Sequence, residues 1–565
     1  MANQSSPYVQ LHRDIVIAAD IYGGQDQDPR ILAAGMGFEG IMNIQGLNSE
    51  ADIDLAYQAG AGVVDSLLGL DPSAPLRNIT SALGPGFQVS GYANNLVSET
   101  FLDAMPIEFS HPLLPSTVLP ENFRIRLNNG ETAIPLYVGL IPNYDFNERQ
   151  TMVAMGYFSN GLKTGDKDSI YPVQFDVVNS DNPLQLVTSD GLFNGSGLSS
   201  ESNNPYDDLN GPLLVGAKLS RLSLAGDYTN PINFTGPNHG VESYGTSKNL
   251  YRLRLFTGGG FSPDGVSGLL PDDFSNYFQL EVDGPDSNSL IVDKSSQTYE
   301  VKGGSISVLG IADLAGDVGD DPDYLYVEDH DNQFDLIIQA SSRRAAKAIK
   351  SVIIPDPRLE THSPLYNPGG PGTDPVTGML YTQPSPGQTI DVEQALKDPG
   401  VVSWAGQELD NYDLDNDLSV AFRLHNHKTG AWRMTDSSKK ASRLVAKSRW
   451  SHVGVPFAVN PSDSYVVDVF ELKNNSAGNK GFLYLTDESQ IEGFESVGYV
   501  NKGAVFQAYS ESMKGLDPIY QMVSPAGTHA LTASEQQQGT WIDQGWLEQG
   551  VPFYSVGFPN TDLLS

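Results

Sequence analysis

Near its C-terminal end the chain states one pattern three times: Trp450-Ser-His-Val-Gly454-Val-Pro-Phe457, Tyr499-Val-Asn-Lys-Gly503-Ala-Val-Phe506 and Trp546-Leu-Glu-Gln-Gly550-Val-Pro-Phe553. Each time an aromatic is followed by a glycine and then a phenylalanine at fixed spacing. The three glycines are offset by 49 and 47 positions. A repeat of this period is one supersecondary unit that cannot bury its apolar face alone, so the copies must pack on one another. Each copy opens on a short strand: Val420-Ala-Phe422-Arg-Leu, Val469-Phe470-Glu-Leu or Ile519-Tyr520-Gln-Met. A turn then leads to a second strand ending in Thr435, Thr486 or Thr532. Three such copies predict a closed threefold module of β-trefoil type over residues 418–565, because closure removes exposed strand edges.

Composition bounds the rest. The chain has 565 residues, room for several domains, and no cysteine, which excludes disulfides, thiolate metal sites and cysteine nucleophiles. Sixty-nine acidic residues against 33 basic ones give a net charge of −36. That field repels nucleic acid and anionic membranes and suits divalent cations. No run of about 18 apolar residues occurs, so no membrane insertion is expected. The polar opening Met-Ala-Asn-Gln-Ser-Ser-Pro has no cleavable signal pattern.

Glycine and proline are spread along the chain between short β-branched and aromatic runs, a multi-domain β signature. The expected organisation is a mixed region over 1–100, an Ig-like β-sandwich over 101–180, and a β-rich domain over 181–354. A Pro/Gly-rich linker or arm (355–417) would then precede the repeat module (418–565). Asp14–Tyr22 reads as a strand and Ser49–Ala59 as a short helix. Asn128-Asn129-Gly130 reads as a hairpin turn. The alanine-, lysine- and arginine-rich stretch 339–354, stopped by Pro355, reads as the best helix of the chain.

Two resemblances rest on particular residues. The stretch Pro106-Ile-Glu-Phe-Ser-His-Pro to Asn122-Phe123-Arg-Ile-Arg-Leu127 resembles bacterial Ig-like domains, which implies a scaffold with no catalytic residues. The closing motif Gly545-Trp546-Leu-Glu548-Gln-Gly550-Val-Pro-Phe553, with Thr532-Ala-Ser-Glu535 before it, resembles a bacterial repeat family of unassigned function found on secreted and surface proteins. That resemblance implies a sugar-binding role. The first copy departs from it, with Ser438 and Lys439 in place of the acidic residue and a basic stretch running to Arg449. That stretch could dock an acidic partner, including a second copy of the chain.

The candidate sites follow. An aromatic recurring once per repeat packs the inside of a symmetric module, which assigns Trp450, Tyr499 and Trp546 to its core. Trp432 and Trp541 have no tryptophan in register. They are therefore expected to be exposed sugar-stacking contacts, with His529 and Glu548 supplying polar groups. Calcium, which takes six to eight hard oxygens, is the expected cofactor, with Asp317, Asp321, Asp323, Asp329 and Asp331 as ligands. Asn367-Pro-Gly-Gly-Pro-Gly372 lacks the Gly-x-Ser-x-Gly elbow a hydrolase would need. No catalytic residue is assigned.

The combined expectation is a mainly β, multi-domain, non-enzymatic protein, exported or cell-surface, structural or adhesive. Its module would bind a glycan or a surface protein, with self-assembly as a further mode. The alternatives are a secreted calcium-dependent carbohydrate-active hydrolase, with two carboxylates in residues 180–340 doing the chemistry, and a phage or virion structural protein with a receptor-binding tip.

Overall fold

The computed structural model describes residues 14–24, 27–35, 103–140, 146–223, 227, 240–245, 247–265, 268–314, 332–359, 362–367, 369–372, 375, 381–397, 400–405, 419–426, 428–437, 440–441, 444, 449–452, 456–459, 465–474, 481–513 and 516–557. The helix expected at 49–59 lies outside these residues. The described part is mainly β and multi-domain, as the turn pattern predicts.

The first unit is a sandwich of two four-stranded sheets. Ile31–Ala34, Asp103–Phe109, Thr151–Gly156 and Tyr137–Gly139 form one sheet; Ser199–Glu201, Pro172–Val177, Phe123–Leu127 and Thr132–Ala133 form the other. Met105, Ile107 and Phe109 from the first pack on Phe123, Ile125, Phe175 and Val177 from the second. The hairpin turn falls where expected: Gly130 sits at φ +88° and its N–H donates to the Leu127 carbonyl at 3.0 Å. The positive φ explains why glycine holds that place.

The second unit pairs a six-stranded sheet with a four-stranded one. Leu250–Gly258 is an inner strand of the larger sheet, between Leu213–Arg221 and Gln333–Ala340. Its Tyr251, Leu253 and Leu255 point into the core between the sheets, with Phe278, Leu336 and Ile338. Two expectations fail here. Residues 339–354 are not a helix. Ser342 caps a single helical turn, Arg343–Ala346, and Ile349–Ile354 is a strand paired with Gln279–Asp283. Its β-branched, buried residues gain more from that pairing than helix propensity offers. Nor is 355–417 simply a linker. Gln388–Asp391 extends the smaller sheet, and Val401–Ala405 pairs antiparallel with Ile15–Asp20 near the start of the chain.

The C-terminal module is built from three meanders of the same plan. In each, a first strand (Ser419–Asn426, Val466–Asn474, Asp517–Val523) has the second strand of its copy on one side (Ala431–Thr435, Phe482–Leu485, His529–Thr532). The third strand lies on the other side (Trp450–His452 and Phe457–Val459, Tyr499–Tyr509, Leu547–Gly557). The third strands meet, Phe457 opposite Gly557 and Tyr509 opposite Tyr554. No barrel closes among the described residues: the sheet is an open path, so the expected trefoil closure is not what joins the copies. Pairing of the third strands and side-chain contacts join them.

Candidate binding module

The last residue of each repeated pattern lies at the pseudo-threefold centre. The rings of Phe457 and Phe506 are 5.5 Å apart, Phe457 and Phe553 5.5 Å, and Phe506 and Phe553 5.8 Å. Around this triangle lie two further triplets, one residue per copy: Ala421, Val469 and Ile519 from the first strands, and Met434, Tyr484 and Leu531 from the second. Phenylalanine, rather than the leading aromatic, is therefore the shared centre. Trp450, Tyr499 and Trp546 are partly buried at the far ends of the same strands.

Two residues after each core position of the first strand comes a buried polar group: Arg423, Glu471 or Gln521. Alternation along a strand places it on the same inward face. Each reaches the second strand of the preceding copy, taken cyclically. Arg423 donates to the Leu531 carbonyl at 3.3 Å. Glu471 accepts two hydrogen bonds from Arg433, at 2.8 and 2.6 Å. Gln521 accepts from the Tyr484 N–H at 3.4 Å. These links add to the strand pairing between the copies, joining each first strand to the second strand of another copy.

The two tryptophans predicted as exposed ligand contacts are buried, Trp432 at 7% exposure and Trp541 at 2%. They seal the join between the third copy and the first. Trp541 stacks on Trp546 at 4.9 Å, and both rings meet the Trp432 ring edge-on at 5.5 and 6.3 Å. The Arg423 guanidinium lies over Trp432 at 5.4 Å and Trp541 at 5.6 Å. Cation–π contacts that are desolvated in this way are worth about 2 kcal/mol. Trp541 does have a counterpart in register: Phe494, also five residues before the leading aromatic, packs edge-on against Tyr499 at 5.5 Å. In both copies the helix ends on a glycine of positive φ, Gly498 or Gly545, which turns the chain so that the two aromatics meet.

His529 is half-buried with Nδ1 unpartnered, and burial pulls its imidazole down to about 4. Glu548 is exposed and accepts from Gln538 at 2.9 Å. Of the four residues predicted as ligand contacts, only Glu548 presents its side chain openly to solvent. The module's surface also exposes several large apolar side chains. Val497 (66% exposed) and Val500 follow the helix of the second copy, while Ile542, Leu547 (67%) and Val551 occupy the corresponding region of the third. All five predicted calcium ligands, Asp317 to Asp331, lie outside the described residues. Among the described residues no group of three or more His, Asp or Glu side chains is arranged to hold a metal.

A second cluster was not foreseen. Arg252 and Arg254 alternate with Tyr251, Leu253 and Leu255 along one strand. Both faces are dry, because the first sandwich covers the arginine side. Arg254 is held by Glu148 at 2.8 Å, by Asp335 at 2.9 Å and by Asp313. Lys218 and Arg252 reach the Asp20 carboxylate at 3.2 and 3.3 Å. Burial opposes ionisation of Asp20, yet Lys218, Arg252 and Arg254 together hold it below the usual aspartate range. Burial pushes Asp335 up to about 7 against the pull of Arg254, and pushes Glu108 well above its ordinary value. These carboxylates are sealed from solvent and serve as a cement between units, not as an accessible acid/base pair.

The architecture is thus a two-sandwich body followed by a pseudo-threefold β module. Residues 420–556, the module alone, match a family described as "Domain of unknown function (DUF5648)". That agrees with the family of unassigned function expected from the closing motif. No curated protein matches the chain. Among solved structures the chain is similar to "Crystal structure of tetra-tandem repeat in extending region of large adhesion protein", at 6% identity over 80% of this chain and 85% of that one. The TM-score is 0.10, and the likeness carries no argument.

Proposed function

We propose that this is a non-enzymatic structural or adhesive protein of the cell surface or extracellular space, in which the β-sandwich body carries the C-terminal module as a partner-binding head. The observation behind this reading is the set of exposed apolar side chains repeated on the module, Val497 and Val500 on one copy and Ile542, Leu547 and Val551 on the next. In each copy they gather at the helix end and the strand that follows it, and gathered exposed apolar groups mark interaction surfaces. A protein partner fits this surface better than a glycan, because the expected stacking platform, Trp432 and Trp541, is enclosed. No helix among the described residues is long and apolar enough to cross a membrane.

Surface biotinylation of intact producing cells tests the location. Labelling of this chain beside an unlabelled cytoplasmic control supports it; protection equal to the control refutes it. A glycan array with the full chain tests the preference for protein, and strong binding to one glycan class would reverse it. Calcium binding by the acidic stretch from Asp317 to Asp331 belongs to the same proposal on composition alone. Isothermal titration with calcium, with and without Asp321→Asn/Asp323→Asn, checks it: no heat above the dilution blank removes calcium from the reading.

A further inference from the structure

The third copy sets a half-buried tyrosine and two carboxylates beside its exposed apolar side chains. Its helix, Glu535–Asp543, packs on the strands Asp517–Val523 and Leu547–Gly557. Glu535, Gln538 and Ile542 stand at i, i+3 and i+7, so they share one face of that helix. Gln538 donates to Glu548 at 2.9 Å, which joins this face to the strand carrying Leu547 and Val551. Glu535, Ile542, Leu547 and Glu548 are all exposed. Tyr520 is half-buried and packs on the enclosed cluster of Trp432 and Trp541. Burial raises its phenol above the ordinary range, and Glu535, Glu548 and Asp517 push it the same way, so these carboxylates are close to the ring.

No cation of this copy answers them. Residues 516–557 contain no lysine or arginine, and among the described residues no salt bridge reaches Glu535 or Glu548. The set is particular to the third copy. In the second, Glu488 follows the helix cap as Glu535 does, but Phe470 stands in the place of Tyr520 and Asn501 in the place of Glu548. Two carboxylates beside a partly exposed aromatic ring suit an ammonium or guanidinium group. The carboxylates accept its charge-assisted hydrogen bonds, and the ring adds a cation–π contact. Ile542 and Leu547 next to them are placed to take apolar side chains of the same segment. A second copy is the wrong occupant on charge, since each chain carries −36.

We propose that Tyr520, Glu535 and Glu548 form a receptor for a lysine or arginine side chain, and that a basic amphipathic segment of another protein occupies this face. This rests on the reading of the module as a binding head and names the chemistry of its partner. The charged seat sets orientation and salt dependence, and the apolar neighbours supply the burial.

Fluorescence anisotropy with the full chain tests this. The probe is a labelled amphipathic Lys/Leu peptide, beside a Lys/Ser peptide of equal charge and a Glu/Leu peptide of equal apolar content. The Lys/Leu peptide should bind about tenfold tighter than either control. Glu535→Gln/Glu548→Gln should weaken that binding about tenfold, the weight of two charge-assisted pairs. Tyr520→Leu should weaken it about threefold through the lost cation–π contact. Glu492→Gln/Glu495→Gln, on the second copy, should leave it as it was. No loss from Glu535→Gln/Glu548→Gln overturns the inference, and so does an equal loss from the second-copy pair, which would reduce the binding to net charge. A Lys/Ser peptide that binds as tightly as Lys/Leu overturns it too. Sedimentation velocity covers the other occupant: self-association that disappears in Glu535→Gln/Glu548→Gln makes a second copy the partner and refutes the proposal. Both carboxylates are exposed, so the unfolding midpoint of that variant, followed by tryptophan emission, should not move. If it does, Leu547→Thr decides: it should weaken Lys/Leu binding about fivefold, and no change sinks the inference. A chain labelled at the cell surface that ignores the Lys/Leu peptide overturns this inference and leaves the proposed location standing. A chain that binds the peptide yet is protected from surface label does the reverse.

Discussion

The phenylalanine triangle makes a quantitative demand. Phe457, Phe506 and Phe553 are 1%, 4% and 0% exposed, and each touches the other two. Truncating any one to alanine removes a buried ring and leaves a cavity, at a cost of about 3–5 kcal/mol. With a urea slope of about 2 kcal/mol/M, the midpoint of the module's transition should fall by about 2 M. The three costs should be alike, because the three environments are alike. The double variant Phe457→Ala/Phe553→Ala should depart from additivity by about 0.5–3 kcal/mol, since the rings are in contact. Tryptophan emission is the assay of choice: four of the five tryptophans lie in the module, and the fifth, Trp404, sits in the last strand of the body. If one phenylalanine costs less than about 1 kcal/mol while its counterparts cost several, the threefold centre is misassigned. Strict additivity of the double variant would refute the contact itself.

Three further outcomes follow from the buried polar groups. Glu471→Ala should cost about 3–5 kcal/mol by leaving Arg433 with an unpaired charge, and Glu471→Leu/Arg433→Met should recover most of it, read by the same emission transition. Asp20→Asn strips Lys218 and Arg252 of a shared carboxylate, so the amides of Ile15–Asp20 and Val401–Ala405 should lose protection in hydrogen exchange before the rest of the body does. The two halves should respond to pH in opposite senses. His529 is held at about 4, below its ordinary value of about 6.5, so the unfolded module binds the extra proton and stability is lost as pH falls between those limits. Burial raises Asp103 and Asp335 to about 7, so the folded body binds more protons and loses stability as pH rises from about 4 through 7. Calorimetry across pH checks both, with Asp103→Asn expected to flatten the body's slope and His529→Gln the module's.

The repeat spacing was enough to place the module and its three equivalent strands. It did not say which residue of the pattern meets its counterparts, because aromatic and phenylalanine positions recur equally well. The reading of Trp541 failed for a definable reason. Its partner in register is Phe494, so a search for tryptophans alone hides a repeated contact between a helix aromatic and the leading aromatic. Trp432 aligns with Phe482 and His529 once strand register is known, and register is not legible without the pairing. The alternation in Tyr251-Arg-Leu-Arg-Leu reports two faces, not what covers each. The stretch 339–354 shows the converse: composition favoured a helix, and two neighbouring strands claimed its β-branched half.

The strand pair Ile15–Asp20 and Val401–Ala405 has a mechanical meaning. Ile15 lies opposite Ala405, and Asp20 opposite Val401. Tension between the segment before Ile15 and the module after Ala405 pulls both strands from the same end. Antiparallel strands loaded in this way open like a zip, one rung after another, rather than resisting as a sheared sheet. The opening runs from Ile15 towards Asp20, where Lys218 and Arg252 hold the carboxylate inside the body. A protein pulled between its two ends would therefore lengthen first by a short, recoverable slack, and stop at a buried ionic catch.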